Sequence, residues 1–95
     1  MNFETFKNNI NNALQQYLEF DKDKNEKPDS LIQGFVIFKR GIDAYVLPFM
    51  ITDLDAQRKE LEILFMDYKH IIEPSEFMEV GFVQRYFRYY YSVES

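Results

Sequence analysis

The amino-acid sequence predicts a small α+β domain, in which an antiparallel sheet is packed by an N-terminal helix and one or two C-terminal helices. Three observations predict it: an apolar stripe with helical period near the N-terminus, a strand–turn–strand pattern over residues 31–51, and a second helical stripe after residue 55. The 95 residues, 46% of them hydrophobic and 18% aromatic, suffice for one core. We therefore expect residues 1–95 to form a single domain.

The segment from Asn2 to Phe20 is predicted to be an amphipathic helix with Asn2 as its N-cap. Its apolar stripe, with three- and four-residue steps, comprises Phe3, Phe6, Ile10, Leu14, Tyr17 and Leu18. The opposite face carries uncharged amides, namely Asn8, Asn9, Asn11, Asn12, Gln15 and Gln16. We interpret this face as solvated, with a hydrogen-bonding contact surface as the alternative. A charged linker containing Pro28 follows over residues 21–30.

A β-hairpin is predicted over residues 31–51. Its strands run from Leu31 to Lys39 and from Ala44 to Ile51, and Gly41 lies in the turn between them. Both faces of the first strand are apolar, which predicts cover on both sides. Pro48 has no amide proton to donate, so the second strand is predicted to be an edge strand or to carry a bulge.

The segment from Thr52 to Ile72 is predicted to be a helix. Thr52 and Asp55 have the spacing of a capping box. One apolar stripe follows, made of Leu61, Leu64, Phe65, Tyr68 and Ile72. Residues 60–63 also alternate between acidic and apolar side chains, so a third strand is the alternative for this segment.

The C-terminal tail is predicted to begin as a helix at Glu76, with Ser75 as its N-cap after Pro74. Apolar residues cover nearly every face of the tail from Phe77 to Val93. Residues 85–91 have high strand propensity, so a strand is the alternative for the end of the tail. Within it, Phe87 is expected to belong to the core.

Several kinds of chemistry are excluded or disfavoured by residue types and spacings. The chain has no cysteine, which excludes disulfides, thiolate metal sites and cysteine nucleophiles. Its three glycines lie far apart, so no phosphate-binding loop exists. His70 is the only histidine, and we interpret it as a partner for a helix dipole. We therefore expect no enzyme activity, no cofactor and no metal site.

The charge distribution supplies the candidate partner-binding residues. Residues 52–79 hold eight acids and three bases, a net charge of −5, which equals that of the whole chain. The acids expected to contact a partner are Asp53, Asp55, Glu60, Glu62 and Asp67. An aromatic, slightly basic tail follows, and its candidate residues are Arg85, Tyr86, Arg88, Tyr89 and Tyr90. Acidic fields steer basic partners, and tyrosine and arginine are enriched in interface hot spots.

The function that this pattern favours is binding to another protein with a basic surface, in the cytoplasm and without a membrane span. Phage-encoded inhibitors of bacterial defence and immunity proteins have this size and charge. The alternatives are a single-stranded nucleic-acid binder that uses Arg85, Arg88 and Tyr89, and a structural homo-oligomer such as a homodimer. Residues 33–38 match part of an RNA-recognition strand motif, but a helix before the hairpin does not fit that module.

Overall fold

The described residues form two helices and four strands, which follow one another in the order α-β-β-α-β-β. A computed structural model describes residues 1–21, 32–51, 55–83 and 87–92, and of residues 20, 21 and 87–92 only the backbone is described. The elements are α1 (Phe3–Asp21), β1 (Ile32–Arg40), β2 (Asp43–Ile51), α2 (Gln57–Ile72), β3 (Phe77–Phe82) and β4 (Phe87–Ser92). The fold is therefore α+β, as the sequence predicts.

The strands form one antiparallel sheet in the order β2-β1-β3-β4. β1 pairs with β2 across the turn at Gly41 and Ile42, and β1 pairs with β3 in a register that places Val36 opposite Val80. Each α-β-β half of the chain supplies one central strand and one edge strand. The central strands, β1 and β3, pair with each other and join the two halves. Among the described residues, no helix has the length and apolar character that a membrane span requires.

Both helices pack on the same face of the sheet and close one core. The helices contribute Phe6, Ile10, Ala13, Leu14, Tyr17, Leu61, Phe65 and Ile72. The sheet contributes Ile32, Val36, Phe38, Leu47, Phe49, Ile51, Met78, Val80 and Phe82. Aromatic rings connect the layers, since the ring centroids of Phe6 and Phe65 lie 5.5 Å apart and those of Tyr17 and Phe82 lie 4.6 Å apart.

The N-terminal helix confirms its predicted cap and stripe. The amide of Thr5 donates to Oδ1 of Asn2 at 2.9 Å, which satisfies one of the free amide groups of the first turn. Part of the amide face is used inside the molecule. Nδ2 of Asn9 donates to Sδ of Met78 at 4.0 Å, and Nε2 of Gln57 donates to Oδ1 of Asn11.

The hairpin is confirmed, and β2 is the edge strand that Pro48 predicts. In an antiparallel ladder, every second pair of residues exchanges hydrogen bonds, starting from the pair that closes the two-residue turn. The pair of Phe35 and Pro48 is one of those that exchange none, so the nitrogen of Pro48 points away from β1. The helices cover one face of β1, and cover on its other face stays a prediction. Phe35 and Ile37 lie on the face opposite the helices and are half-buried.

Residues 57–72 form a helix, so the third-strand alternative for residues 60–63 is wrong. The buried side chains are Leu61, Phe65 and Ile72, whereas Tyr68 departs from helical dihedral angles and is 36% exposed. Thr52, from the predicted capping box, lies outside the described residues. The residue before the helix is Ala56, which makes no side-chain capping hydrogen bond.

The predicted helix at the start of the tail is wrong, because β3 occupies residues 77–82 and the tail continues as β4. Glycine at 81 weakens a helix, whereas β1 offers an open edge for pairing. Ser75 therefore caps no following helix. It ends α2 instead, since its buried Oγ donates to the carbonyl of Ile71 at 2.7 Å. The strand alternative for the end of the tail is confirmed.

Two glycines lie under aromatic rings, one on each face of the sheet. A Cβ on Gly34 would lie 2.5 Å from Cζ of Phe49 and 2.9 Å from the carbonyl oxygen of Gly81, and a Cβ on Gly81 would lie 2.3 Å from Cζ of Phe35. The two distances to ring carbons are shorter than any ordinary carbon–carbon contact. The two sites differ in how readily the ring can move away.

We expect Gly34→Ala to lower the free energy of unfolding by about 1–3 kcal/mol, the usual cost of overpacking a core. Phe49 is buried and the backbone oxygen cannot move independently. Gly81→Ala should cost less, because half-buried Phe35 can rotate towards solvent. Urea unfolding followed by circular dichroism measures both, and an equal or reversed ranking would contradict the packing described.

Candidate functional site

A groove of about 210 Å³ runs between α2 and the edge strand β2. Its lining combines apolar and acidic side chains, namely Phe49, Met50, Glu60, Ile63, Leu64 and Asp67, with buried Leu61 among them. Two of the apolar residues are far more exposed than core side chains, since Met50 and Ile63 are each 55% accessible. The groove is thus a surface feature at one edge of the sheet.

Helical spacing places the groove residues of α2 in one row. Glu60 and Ile63 are three residues apart, and Ile63 and Asp67 are four apart, so the three are successive neighbours along one helix face. This face lies beside the one that buries Leu61 and Phe65. The helix therefore presents Glu60 and Asp67 beside the edge of β2, on the face next to the stripe that anchors α2 on the sheet.

Two of the cations of α2 are held by partners outside the groove. Nη2 of Arg58 lies 2.9 Å from Oε1 of Glu4 in α1, and its guanidinium carbon lies 5.4 Å from the ring centroid of Phe3. Nζ of Lys69 lies 3.6 Å from Oε1 of Glu73. The ionisable residues among the lining residues of the groove are both acids.

The ion pair between the helices changes the pKa of Glu4. The hydrogen bond from Arg58 lowers the pKa of Glu4, and Lys7, 3.4 Å away, adds to the effect. Because the folded-state pKa is depressed, the pair helps folding above the ordinary pKa of a glutamate and loses its effect as the pH falls through the lowered value.

The structure brings together only part of the predicted acidic set. Glu60 and Asp67 line the groove, whereas Glu62 is exposed and does not line it. Asp55 is exposed in the turn before α2. Asp53 lies outside the described residues. A single acidic surface made of all five residues is therefore not what the described part of the chain presents.

The predicted tail residues lie on or beside β4. The backbones of Arg88, Tyr89 and Tyr90 pair with Gly81, Val80 and Glu79 of β3. The side chains of these three residues, and that of Phe87, are outside the described part of the structure. Arg85 and Tyr86 also lie outside the described residues, so the contact role expected of the tail stays a prediction.

Sequence reasoning missed a second pocket, of about 220 Å³, at the turn end of the hairpin. It is lined by Arg40, Tyr45, His70, Ile71 and Pro74. Three elements supply these residues, and no sequence spacing connects residue 40 with residue 70. Only the packing of α2 against the hairpin brings them together.

A third cavity, of about 440 Å³, lies between α1 and the start of α2. Asn11, Gln15 and Gln57 line it beside Leu14 and Leu18. The hydrogen bond between Gln57 and Asn11 spans it, so the amide face serves at least partly to join the two helices. No cluster of three or more potential metal ligands exists among the described residues.

Comparison with protein-family models, with curated proteins and with solved structures finds no match to this chain.

Proposed function

We propose that this protein is a small acidic interaction module that acts by binding another protein with a basic and apolar surface. The groove between α2 and β2 is the observation that carries the proposal. It combines exposed apolar side chains with two carboxylates, and no base is found among its described lining residues. A basic amphipathic segment offers the complementary surface.

Apolar and charged residues have different roles in protein interfaces. Apolar contacts at the centre of an interface supply most of the affinity, and charges at its rim supply steering and specificity. Ile63 and Met50 suit the first role, and methionine adapts its shape to a partner because its side chain is unbranched and polarisable. Glu60 and Asp67 flank Ile63 along α2 and suit the second role.

An inhibitor is the use that best suits such a module. A protein that occupies a basic active site or nucleic-acid channel of its target needs complementary charge and a stable scaffold, and it needs no catalytic group of its own. Phage-encoded inhibitors of bacterial defence and immunity proteins against toxins act in this way. We propose no catalytic residue for this chain.

Affinity capture from a lysate of the natural host tests the proposal. We expect the tagged protein to retain one stoichiometric protein, identified by mass spectrometry, and the absorbance ratio at 260 and 280 nm to show no nucleic acid. Nucleic acid that salt removes would instead support the single-strand binder. A clean, unaccompanied protein at low and at high salt would contradict the interaction module.

A second candidate, a homo-oligomer subunit, is favoured by the sheet face opposite the helices. Phe35, Ile37 and Phe77 are half-buried there, and Val46 is 60% exposed. Apolar patches of this kind mark contact surfaces. Sedimentation velocity distinguishes the candidates: a concentration-dependent dimer that Ile37→Lys abolishes would support the oligomer, and a monomer at high concentration would exclude it.

A further inference from the structure

The pocket at the turn end of the hairpin gathers three hydrogen-bond donors. Arg40 ends β1, Tyr45 lies on β2, and His70 lies in the last turn of α2. Ile71 and Pro74 form the apolar part of the lining. In the described part of the chain, the side chains of Arg40, Tyr45 and His70 make no hydrogen bond or ion pair.

The walls of this pocket are tied to one another by the backbone. The amide of Glu76 donates to the carbonyl of Lys39 at 2.9 Å, which fastens the turn after α2 to the end of β1. Ser75, 2% exposed, holds the same turn against α2 through its Oγ and its amide, the latter donating to Ile72 at 3.3 Å. The two sides therefore keep their spacing without a ligand, which lowers the entropic cost of binding.

We propose that this pocket binds a phosphate group, with Arg40, Tyr45 and His70 as its donors. The guanidinium of arginine presents a planar fork that matches two phosphate oxygens, the phenol donates one hydrogen bond, and the imidazole has an N–H in either protonation state. The pocket is smaller than the roughly 300–1,000 Å³ of sites for drug-sized ligands. It therefore suits one anionic group, from a free phosphate compound or a phosphorylated side chain.

Neighbouring acidic residues limit the affinity that we expect for phosphate. Asp43 pairs with Arg40 in the hairpin register, and its carboxylate repels an anion there. Glu73 lies beside Pro74, with its charge countered by Lys69 at 3.6 Å. Since the donors are exposed and an acid is close, we expect a dissociation constant of about 1–10 mM for inorganic phosphate.

Titration of the full ¹⁵N-labelled chain with inorganic phosphate, at constant ionic strength, tests the proposal by amide chemical shifts. We expect saturable shifts confined to residues 39–46 and 69–76. Arg40→Gln should weaken binding about tenfold, because it removes the charge-assisted hydrogen bonds. Asp43→Asn should strengthen binding about twofold to threefold, and this opposite sign cannot arise from misfolding.

The matched control is Arg58→Gln, which removes an exposed arginine that is outside the pocket and paired with Glu4. It should leave the phosphate affinity unchanged. Shifts that do not saturate, or an affinity that Arg40→Gln leaves intact, would overturn the proposal. A short phosphoserine peptide then identifies the source: tenfold tighter binding than inorganic phosphate indicates a phosphorylated protein, and equal binding indicates a free phosphate compound.

Discussion

Replacing Phe82 by alanine is expected to lower the free energy of unfolding by about 3–5 kcal/mol, the range for large aromatic residues in cores. Phe82, the last residue of β3, is fully buried in the core. Its ring stacks on Tyr17 at 4.6 Å and meets Phe49 edge-on at 6.1 Å, so one substitution breaks contacts with α1 and with β2 together. Because small domains are stable by only about 5–15 kcal/mol, much of the protein should unfold at moderate urea concentrations.

The matched control for this substitution is Met66→Ala, which truncates another large apolar side chain. Met66 is 63% exposed, so its loss should change the free energy of unfolding by less than about 0.5 kcal/mol. Urea unfolding monitored by far-ultraviolet circular dichroism measures both variants. A loss below about 1 kcal/mol for Phe82→Ala would show that the core is not packed as described.

Reversing both groove acids, with Glu60→Lys and Asp67→Lys together, is expected to weaken binding of the captured partner by about 10- to 100-fold. The exchange replaces two attractions by two repulsions, and like charges across an interface are strongly unfavourable. Much of the loss should appear in the association rate, and it should shrink as salt is added. Surface plasmon resonance at two ionic strengths measures these effects.

The control pair is Glu62→Lys with Glu76→Lys, which changes the net charge by the same amount at exposed acids that do not line the groove. We expect this pair to retain most of the affinity. Equal losses in the two double variants would mean that net charge alone governs binding and that the groove has no special role. Thermal melting of both variants verifies that each remains folded.

Local sequence signals were sufficient for the first helix, the hairpin and α2. The stripe from Phe6 to Tyr17, the turn at Gly41 and the missing donor of Pro48 all act within a few residues, so they can be seen without the rest of the chain. For α2, the period of Leu61 and Phe65 outweighed the short alternation at residues 60–63. In each case the tertiary structure agrees with the local preference.

Local sequence patterns do not predict the secondary structure at the start of the C-terminal tail. Residues 77–82 are apolar at almost every position, so neither a helical nor a strand period can be distinguished. The open edge of β1 decides the outcome, and this edge lies about 40 residues earlier in the chain. The burial of Glu79 in β3, with 5% exposure, also depends on that pairing and has no local signature.

The candidate site could be predicted only in part, for the residues that lie on one helix. Glu60 and Asp67 could be assigned to one surface because both lie on a single helix with suitable spacing. Their apolar neighbour Met50 could not be assigned, since it comes from the adjoining strand. The pocket of Arg40, Tyr45 and His70 depends on how α2 packs against the hairpin, and no local sequence pattern predicts that contact.

The sheet order has a consequence for how quickly the chain folds. The strands within each α-β-β half are neighbours in sequence, and isolated hairpins form within about 1–10 μs. The β1–β3 pairing joins Lys39 to Phe77 and Gly34 to Phe82, separations of 38 and 48 residues, so its loop-closure entropy must be overcome first. We expect the rate-limiting barrier to lie at this pairing, where substitutions such as Val80→Ala should slow folding more than they speed unfolding.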